Sequence, residues 1–238
     1  MGGGRSLKIG MFTVSDMMGM SFANFVRERS LELASGDNLV QWNLISLSGV
    51  FKKKGFWERS SLVLSLYNYP SYYHAMALNL IPLYEDEYDI TVICDADFVL
   101  MRKNWDVELV ELIEDNHIFG TLDIKWLLAI RPFFVAFRKG VLTTGLDFRP
   151  MDLSPSVEGK KGRGGRDTGC RILEYALKND LRYKYMECEK VSPEFREYTV
   201  VYNYEGRVFG SHLGNMRCNE FDGEYAQSWR EWVMEHSE

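Results

Sequence analysis

Apolar and polar positions along the chain follow two periods in turn, and the alternation predicts strands interleaved with helices. Leu7 to Val14 is apolar apart from Lys8 and predicts a first strand. Phe22, Phe25, Val26 and Arg29 to Leu33 fit a helix that stops near Ser35-Gly36-Asp37-Asn38. Leu39 to Leu47 alternates in part and predicts a second strand. From Ser71 to Leu83 the residues Tyr72, Ala75, Met76, Leu78 and Leu80 share one face of a helix. His74 and Asn79 are its polar exceptions, and His74 reads first as a structural hydrogen-bonding residue. Glu85-Asp86-Glu87 is an acidic turn leading into Ile90 to Cys94, a β-branched apolar run that predicts a buried central strand.

Farther along, Val107 to Ile113 is amphipathic and helical, ending near Asn116. Ile118 to Leu122 predicts a short strand, and Phe133 to Phe137 another, which Pro132 places at a sheet edge. Asp152 to Arg166 breaks the pattern with glycine, proline and basic residues and few apolar ones, which predicts a mobile lid or binding loop. Cys170 to Asn179 returns to helical spacing. Tyr183 to Cys188 and Val208 to Gly214 read as strands, and Phe195 to Tyr204 is rich in aromatic and β-branched residues. Tyr225 to Met234 predicts a last helix. The alternation predicts an α/β fold with a mainly parallel central sheet flanked by helices, over residues 1–238 as a single domain.

The chemistry concentrates where the central strand ends. Cys94 is followed by Asp95-Ala96-Asp97, and in an extended segment residues two apart point to the same side. Two carboxylates aimed past a strand's carboxyl end suit a hard divalent cation, at the place where open α/β sheets bind ligands. The alternative is a loop whose aspartates cap the next turn. Asp167 precedes a predicted helix and is a candidate N-cap. Lys52-Lys53-Lys54-Gly55 is a basic turn, read as a solvated face with phosphate contact as the alternative.

Composition narrows the classes. The chain has 238 residues and a formal net charge of −6, which argues against a general nucleic-acid binder. No apolar run reaches the length of a membrane span. Cys94, Cys170, Cys188 and Cys218 lie far apart, without C-x-x-C spacing, and read as reduced thiols of a cytoplasmic protein. Met1 to Ser6 formally fits a myristoylation pattern and is read as a start-site tail.

Taken together, Val92-Ile93-Cys94-Asp95-Ala96-Asp97, Trp105-Asp106, Arg166-Asp167-Thr168-Gly169 and Ser211-His212-Leu213-Gly214 resemble a GT-A-fold glycosyltransferase of the family-2-like group. Ser71 to Asn79 also resembles the helix that precedes the metal strand in such enzymes. The resemblance spans most of residues 7–218, with the Asp-x-Asp strand as its strongest motif. It implies a Rossmann-like fold, with a nucleotide-sugar-binding half over 1–120 and an acceptor-binding and catalytic half over 121–238. The implied reaction moves a sugar from a nucleotide diphosphate sugar to a carbohydrate or other hydroxyl acceptor, with Mn²⁺ or Mg²⁺ as cofactor.

The resemblance also implies roles. Asp97 would contact the metal, Asp95 would face the ribose hydroxyls or a metal-bound water, and His212 is a candidate third ligand or else a core histidine. Arg163 and Arg166 are candidate diphosphate donors, with a solvated role as the alternative. Asp16 is a candidate contact to base or ribose, or a helix cap. Asp167 is the candidate general base of an inverting transfer, or simply the N-cap. Two departures stand out: Arg166 precedes Asp167 where an acidic residue is frequent, and Ser15-Asp16-Met17-Met18 does not match a uridine-binding pattern. A sugar nucleotidyltransferase is the competing enzyme class, disfavoured by the lack of a glycine-rich basic loop directly after Val14. A non-catalytic carbohydrate-binding protein of the same fold is the competing non-enzyme.

Overall fold

A computed structural model of the chain describes residues 6–15, 19–46, 70–123, 129–142, 145–149, 168–169, 171–190, 200–214 and 221–238. The amino-terminal elements are β1 (Lys8–Ser15), α1 (Met20–Glu32), β2 (Leu39–Ser46), α2 (Pro70–Leu78), a 3₁₀ segment (Ile81–Glu87), β3 (Ile90–Cys94) and β4 (Phe98–Leu100). They are followed by α3 (Trp105–Asp115), β5 (Ile118–Asp123), β6 (Ala129–Arg138), α4 (Arg171–Lys178), β7 (Tyr183–Lys190), β8 (Val200–Tyr204), β9 (Arg207–His212) and α5 (Glu224–His236). The helix expected over Ser71 to Leu83 divides in two because Pro82 has no N–H to continue the ladder, and it starts the 3₁₀ segment instead.

The strands join in one sheet in the order β2-β1-β3-β6-β5-β7-β8-β9-β4. β1 pairs parallel with β2 and β3, as does β5 with β7. The other pairings are antiparallel, so the sheet is mixed and not mainly parallel. Connection length is the reason for two of these pairings, β5 with β6 and β8 with β9. A parallel return needs a crossover of a dozen or more residues. Only five residues separate Asp123 from Ala129, and only Glu205-Gly206 separate β8 from β9. Glu205 and Gly206 have φ of 51° and 71°, the left-handed pair that closes a two-residue hairpin.

β6 lies between β3 and β5, so Pro132 is not at a sheet edge. The ladder shifts register between Gly120 and Thr121, whose partners are Val135 and Arg131. Pro132 sits in the resulting bulge, where no ladder N–H is required of it. Helices cover both faces. Val92 and Cys94 pack on one side with Phe22, Val26, Leu109, Trp229 and Val233 of α1, α3 and α5. Ile93 packs on the other with Ala75, Leu78, Ile172 and Ala176 of α2 and α4. In β1, Gly10 leaves room for the Tyr88 ring, which would stand 2.6 Å from an added Cβ.

The feature that positions the site is curvature. β3 and β4 stand six strand spacings apart in the sheet order, which in a flat sheet would be about 29 Å. Only Asp95, Ala96 and Asp97 join them, a stretch that reaches about 14 Å at most. The sheet therefore curls until its β4 edge returns to the carboxyl end of β3. Gly210 permits the last contact, since a Cβ there would lie 2.6 Å from the Phe98 ring and 2.8 Å from the Val99 carbonyl oxygen.

Candidate metal centre

Asp95, Ala96 and Asp97 form a turn between two strands, not an extended run, so the two carboxylates do not converge through strand alternation. They converge because both ends of the turn are tied down. The Asp95 N–H donates to the Phe133 carbonyl of β6 (2.8 Å), and the Phe98 N–H donates to the Asp95 carbonyl (3.1 Å). The Leu213 N–H, just past β9, donates to the Asp97 carbonyl (3.0 Å). β4 pairs with β9 so that Phe98 lies opposite His212. The result places His212 Nε2 3.2 Å from Asp97 Oδ1, across 115 residues of sequence. Asp97 and His212 are 5% and 7% exposed, so the contact is shielded from water.

One ligand atom from each of Asp95, Asp97 and His212 lies within 4.8 Å of the other two. Two carboxylates and an imidazole suit Mn²⁺, and the carboxylates suit Mg²⁺. The residues expected to hold a cation are thus brought together.

The electrostatics of the group are coherent. Burial opposes ionisation of Asp97, but the His212 charge, its hydrogen bond and the backbone N–H groups of Asp97 and Gly214 outweigh it, and the Asp97 pKa falls below the ordinary 3.8. Burial likewise opposes the imidazolium of His212, while Asp97 and then Asp95 raise its pKa above 6.5 and Arg131 pulls it down. Without a cation, Asp97 and His212 are a buried ion pair. A cation that takes the Nε2 lone pair must displace its proton. Cys94 ends β3 beside both carboxylates, and burial, then Asp95 and Asp97, push its thiol well above its ordinary value. Its Sγ donates to the Phe98 carbonyl at 3.2 Å, which gives it a structural place in the turn and not a nucleophilic one.

Further side chains complete the surround. The Phe133 ring stacks on His212 at 4.1 Å between centroids and 23° between planes. Phe98 lies 6.4 Å from the same imidazole, tilted by 34°. Arg131, on β6 two residues before Phe133, is buried with its guanidinium 5.8 Å from the Phe133 ring. Ser211 accepts the Trp229 indole N–H at 3.0 Å and donates to the Val200 carbonyl at 3.3 Å, which fixes β9 beside the site. His74 of α2 approaches Asp95 Oδ1 with Nε2 at 3.5 Å.

Arg131, Phe133 and His74 were not expected at the site from sequence. A charge in the otherwise apolar Ala129-Ile130-Arg131-Pro132-Phe133 was the available signal for the first. His74 stood out only as a polar residue on an apolar helix. Phe133 gave none, because an aromatic in a strand already has a core explanation. Asp16, Arg163, Arg166 and Asp167 lie outside the described residues, as do Lys52 to Gly55, Cys170, Cys218 and the expected mobile loop. Thr168 and Gly169 are described. Gly169 has a φ of +79°, and its Cα is so close to Pro132 that an added Cβ would meet Cδ at 2.7 Å.

No protein-family model matches the chain, and no curated protein matches it. Among solved structures it is similar to the bifunctional glycosyltransferase WbbM, at 11% identity and a TM-score of 0.39, over 57% of this chain and 32% of that one. It is similar to the galactosyltransferase LgtC in complex with donor and acceptor sugar analogs, at 11% identity and a TM-score of 0.36, over 58% of this chain and 60% of that one. It is also similar to mouse xyloside xylosyltransferase 1, at 8% identity and a TM-score of 0.44, over 80% of this chain and 90% of that one. The chain therefore spans about a third of WbbM's length and less than two thirds of LgtC's. Among the described residues no helix is long and apolar enough to cross a membrane.

Proposed function

We propose that the chain is a metal-dependent glycosyltransferase that moves a sugar from a nucleotide diphosphate sugar to an acceptor hydroxyl, acting as one GT-A-like domain. The observation that carries this reading is the Asp95, Asp97 and His212 group at the carboxyl end of β3. In the proposal Asp97 and His212 hold Mn²⁺ or Mg²⁺, and Asp95 completes the group or faces the donor's ribose. When bound, the cation supplies Lewis-acid neutralisation of the charge that builds on the departing diphosphate.

The chain's own residues supply the rest. The turn between β3 and β4 presents the Asp97 carboxylate already ionised, because it is held below the ordinary carboxylate range. Phe133 and Phe98 flank the imidazole and restrict water around it. Arg163 and Arg166 are the proposed donors to diphosphate oxygens, and Asp16 the proposed contact to base or ribose. Asp167 is the proposed base, taking the acceptor hydroxyl's proton as the new bond forms, with inversion at the sugar carbon. One observation supports that placement: Gly169, two residues on, packs against Pro132, whose neighbours Arg131 and Phe133 border the metal group.

The test is release of nucleoside diphosphate from a panel of nucleotide diphosphate sugars, with Mn²⁺ and with excess chelator. We expect turnover that needs the metal and falls at least 100-fold in Asp97→Asn, while melting shows a folded protein. Full activity in chelator, or wild-type rates in Asp97→Asn, would refute the reading.

A further inference from the structure

The helix α2 carries two polar exceptions, and the structure gives them separate tasks. Asn79, just past its end, accepts the Phe148 N–H at 3.0 Å through Oδ1 and donates to Asp147 at 3.2 Å through Nδ2. That pair of bonds ties the end of the helix to the segment 145–149. Ala75, Ala77 and Leu78 are buried in the core beneath. The helix is thus held at its carboxyl end and along its apolar face. His74 belongs to neither anchor. Its side chain is 24% exposed, and its Nε2 stands 3.5 Å from Oδ1 of Asp95, whose side chain is 17% exposed.

We propose that His74 is the positioning residue of the metal group: its Nε2, 3.5 Å from Asp95 Oδ1, donates to the carboxylate and restrains it in the orientation that the cation requires. This rests on the metal-dependent reading above. The physical need is specific to Asp95. Its backbone is pinned on both sides, by Phe133 and by Phe98. Its partner Asp97 has an imidazole and two backbone N–H groups on its carboxylate. Asp95 is the more exposed of the two carboxylates. A donor fixed on an anchored helix restrains its orientation. Outer partners of this kind orient metal ligands, and their loss commonly weakens metal affinity by about 10–100-fold.

The experiment measures Mn²⁺ binding directly, by the loss of the free-ion electron paramagnetic resonance signal on titration with full-length protein. His74→Phe keeps an aromatic ring and removes the donor. His74→Gln keeps an N–H near the place of Nε2. We expect His74→Phe to bind Mn²⁺ about 10–100-fold more weakly, and His74→Gln to stay within a few-fold of wild type, with unchanged melting in chelator for both. Should His74→Phe fail to fold, His74→Leu takes its place in the same titration. If wild type binds Mn²⁺ and the donor-free variant binds as tightly, the positioning role is wrong and the metal reading stands. If Gln binds as weakly as Phe, the donor is not what matters and the role is again wrong. If wild type binds no Mn²⁺, the metal reading fails and takes this inference with it.

Discussion

Replacing His212 by Leu tests the ion pair at the centre of the site. Asp97 and His212 are both buried, with Oδ1 and Nε2 3.2 Å apart. Leu keeps an apolar surface for Phe133 and removes both the charge and the hydrogen bond. Breaking a buried pair from one side costs about 3–5 kcal/mol, because the remaining charge has lost its compensation. Protonation sets a ceiling on that figure. Neutralising a carboxylate of ordinary pKa 3.8 at pH 7 takes roughly 4 kcal/mol, so a larger penalty would simply protonate Asp97. The expected loss at pH 7 in chelator is therefore about 3–4 kcal/mol.

The pH profile should change shape as well. In the wild type the lowered Asp97 pKa contributes stability that is present above 3.8 and lost as pH falls through the folded value. The raised His212 pKa contributes stability that is complete below 6.5 and lost as pH rises through the folded value. The pair is worth most between those two pH values. Without His212, burial dominates Asp97, its pKa rises, and stability falls with increasing pH across the same window. Urea denaturation followed by tryptophan fluorescence, from pH 4 to 8 in chelator, reads both effects. A loss under 1 kcal/mol at pH 7, or parallel profiles for the two proteins, would refute the electrostatic account.

Three other predictions can be measured with the same protein. Apparent Mn²⁺ affinity should rise with pH until His212 has titrated, above 6.5, because proton and cation compete for Nε2; a flat profile from pH 6 to 8 by calorimetry would remove His212 from the ligand set. Gly210→Ala should destabilise the fold by about 1–3 kcal/mol and weaken Mn²⁺ binding with it, since the new Cβ meets Phe98 and the Val99 carbonyl; thermal melting and the Mn²⁺ titration check both. Asp167→Asn should slow transfer by about 10²–10⁴-fold with donor affinity and melting unchanged, and transfer within a few-fold of wild type would make Asp167 a helix cap.

How legible the site was in sequence depended on how local each part was. Ile90 to Cys94 and the two aspartates after it lie in one short stretch, where an apolar run and its charged boundary are visible without knowledge of the fold. His212 lies 115 residues from Asp97, and no local pattern connects them. Only the resemblance singled it out, and only the curl of the sheet brings it to the carboxylate. β4 escaped notice because three residues are too few to show a period. Pro132 misled, since a bulge in a central strand and a place at a sheet edge both excuse a missing N–H. The parallel expectation failed at the connections before β6 and β9, whose shortness forces antiparallel pairing whatever the strands' composition.

The turn between β3 and β4 joins the fold to the chemistry. Asp95 and Asp97 are the residues that carry the chain from the third strand of the sheet to its far edge. Any opening of the β4 and β9 edge therefore moves Asp97 away from His212. With the edge closed, two carboxylates are drawn together beside the buried end of β3, with the His212 imidazole against Asp97 and His74 near Asp95. In the proposed reading a divalent cation completes that group, and one that binds only the closed arrangement must also stabilise that closure, by an amount that grows as the logarithm of its concentration over its dissociation constant. Cation affinity and edge closure are then one equilibrium seen from two sides. The glycine at position 210, which lets the edge close, belongs to the site as much as the residues that would touch the ion.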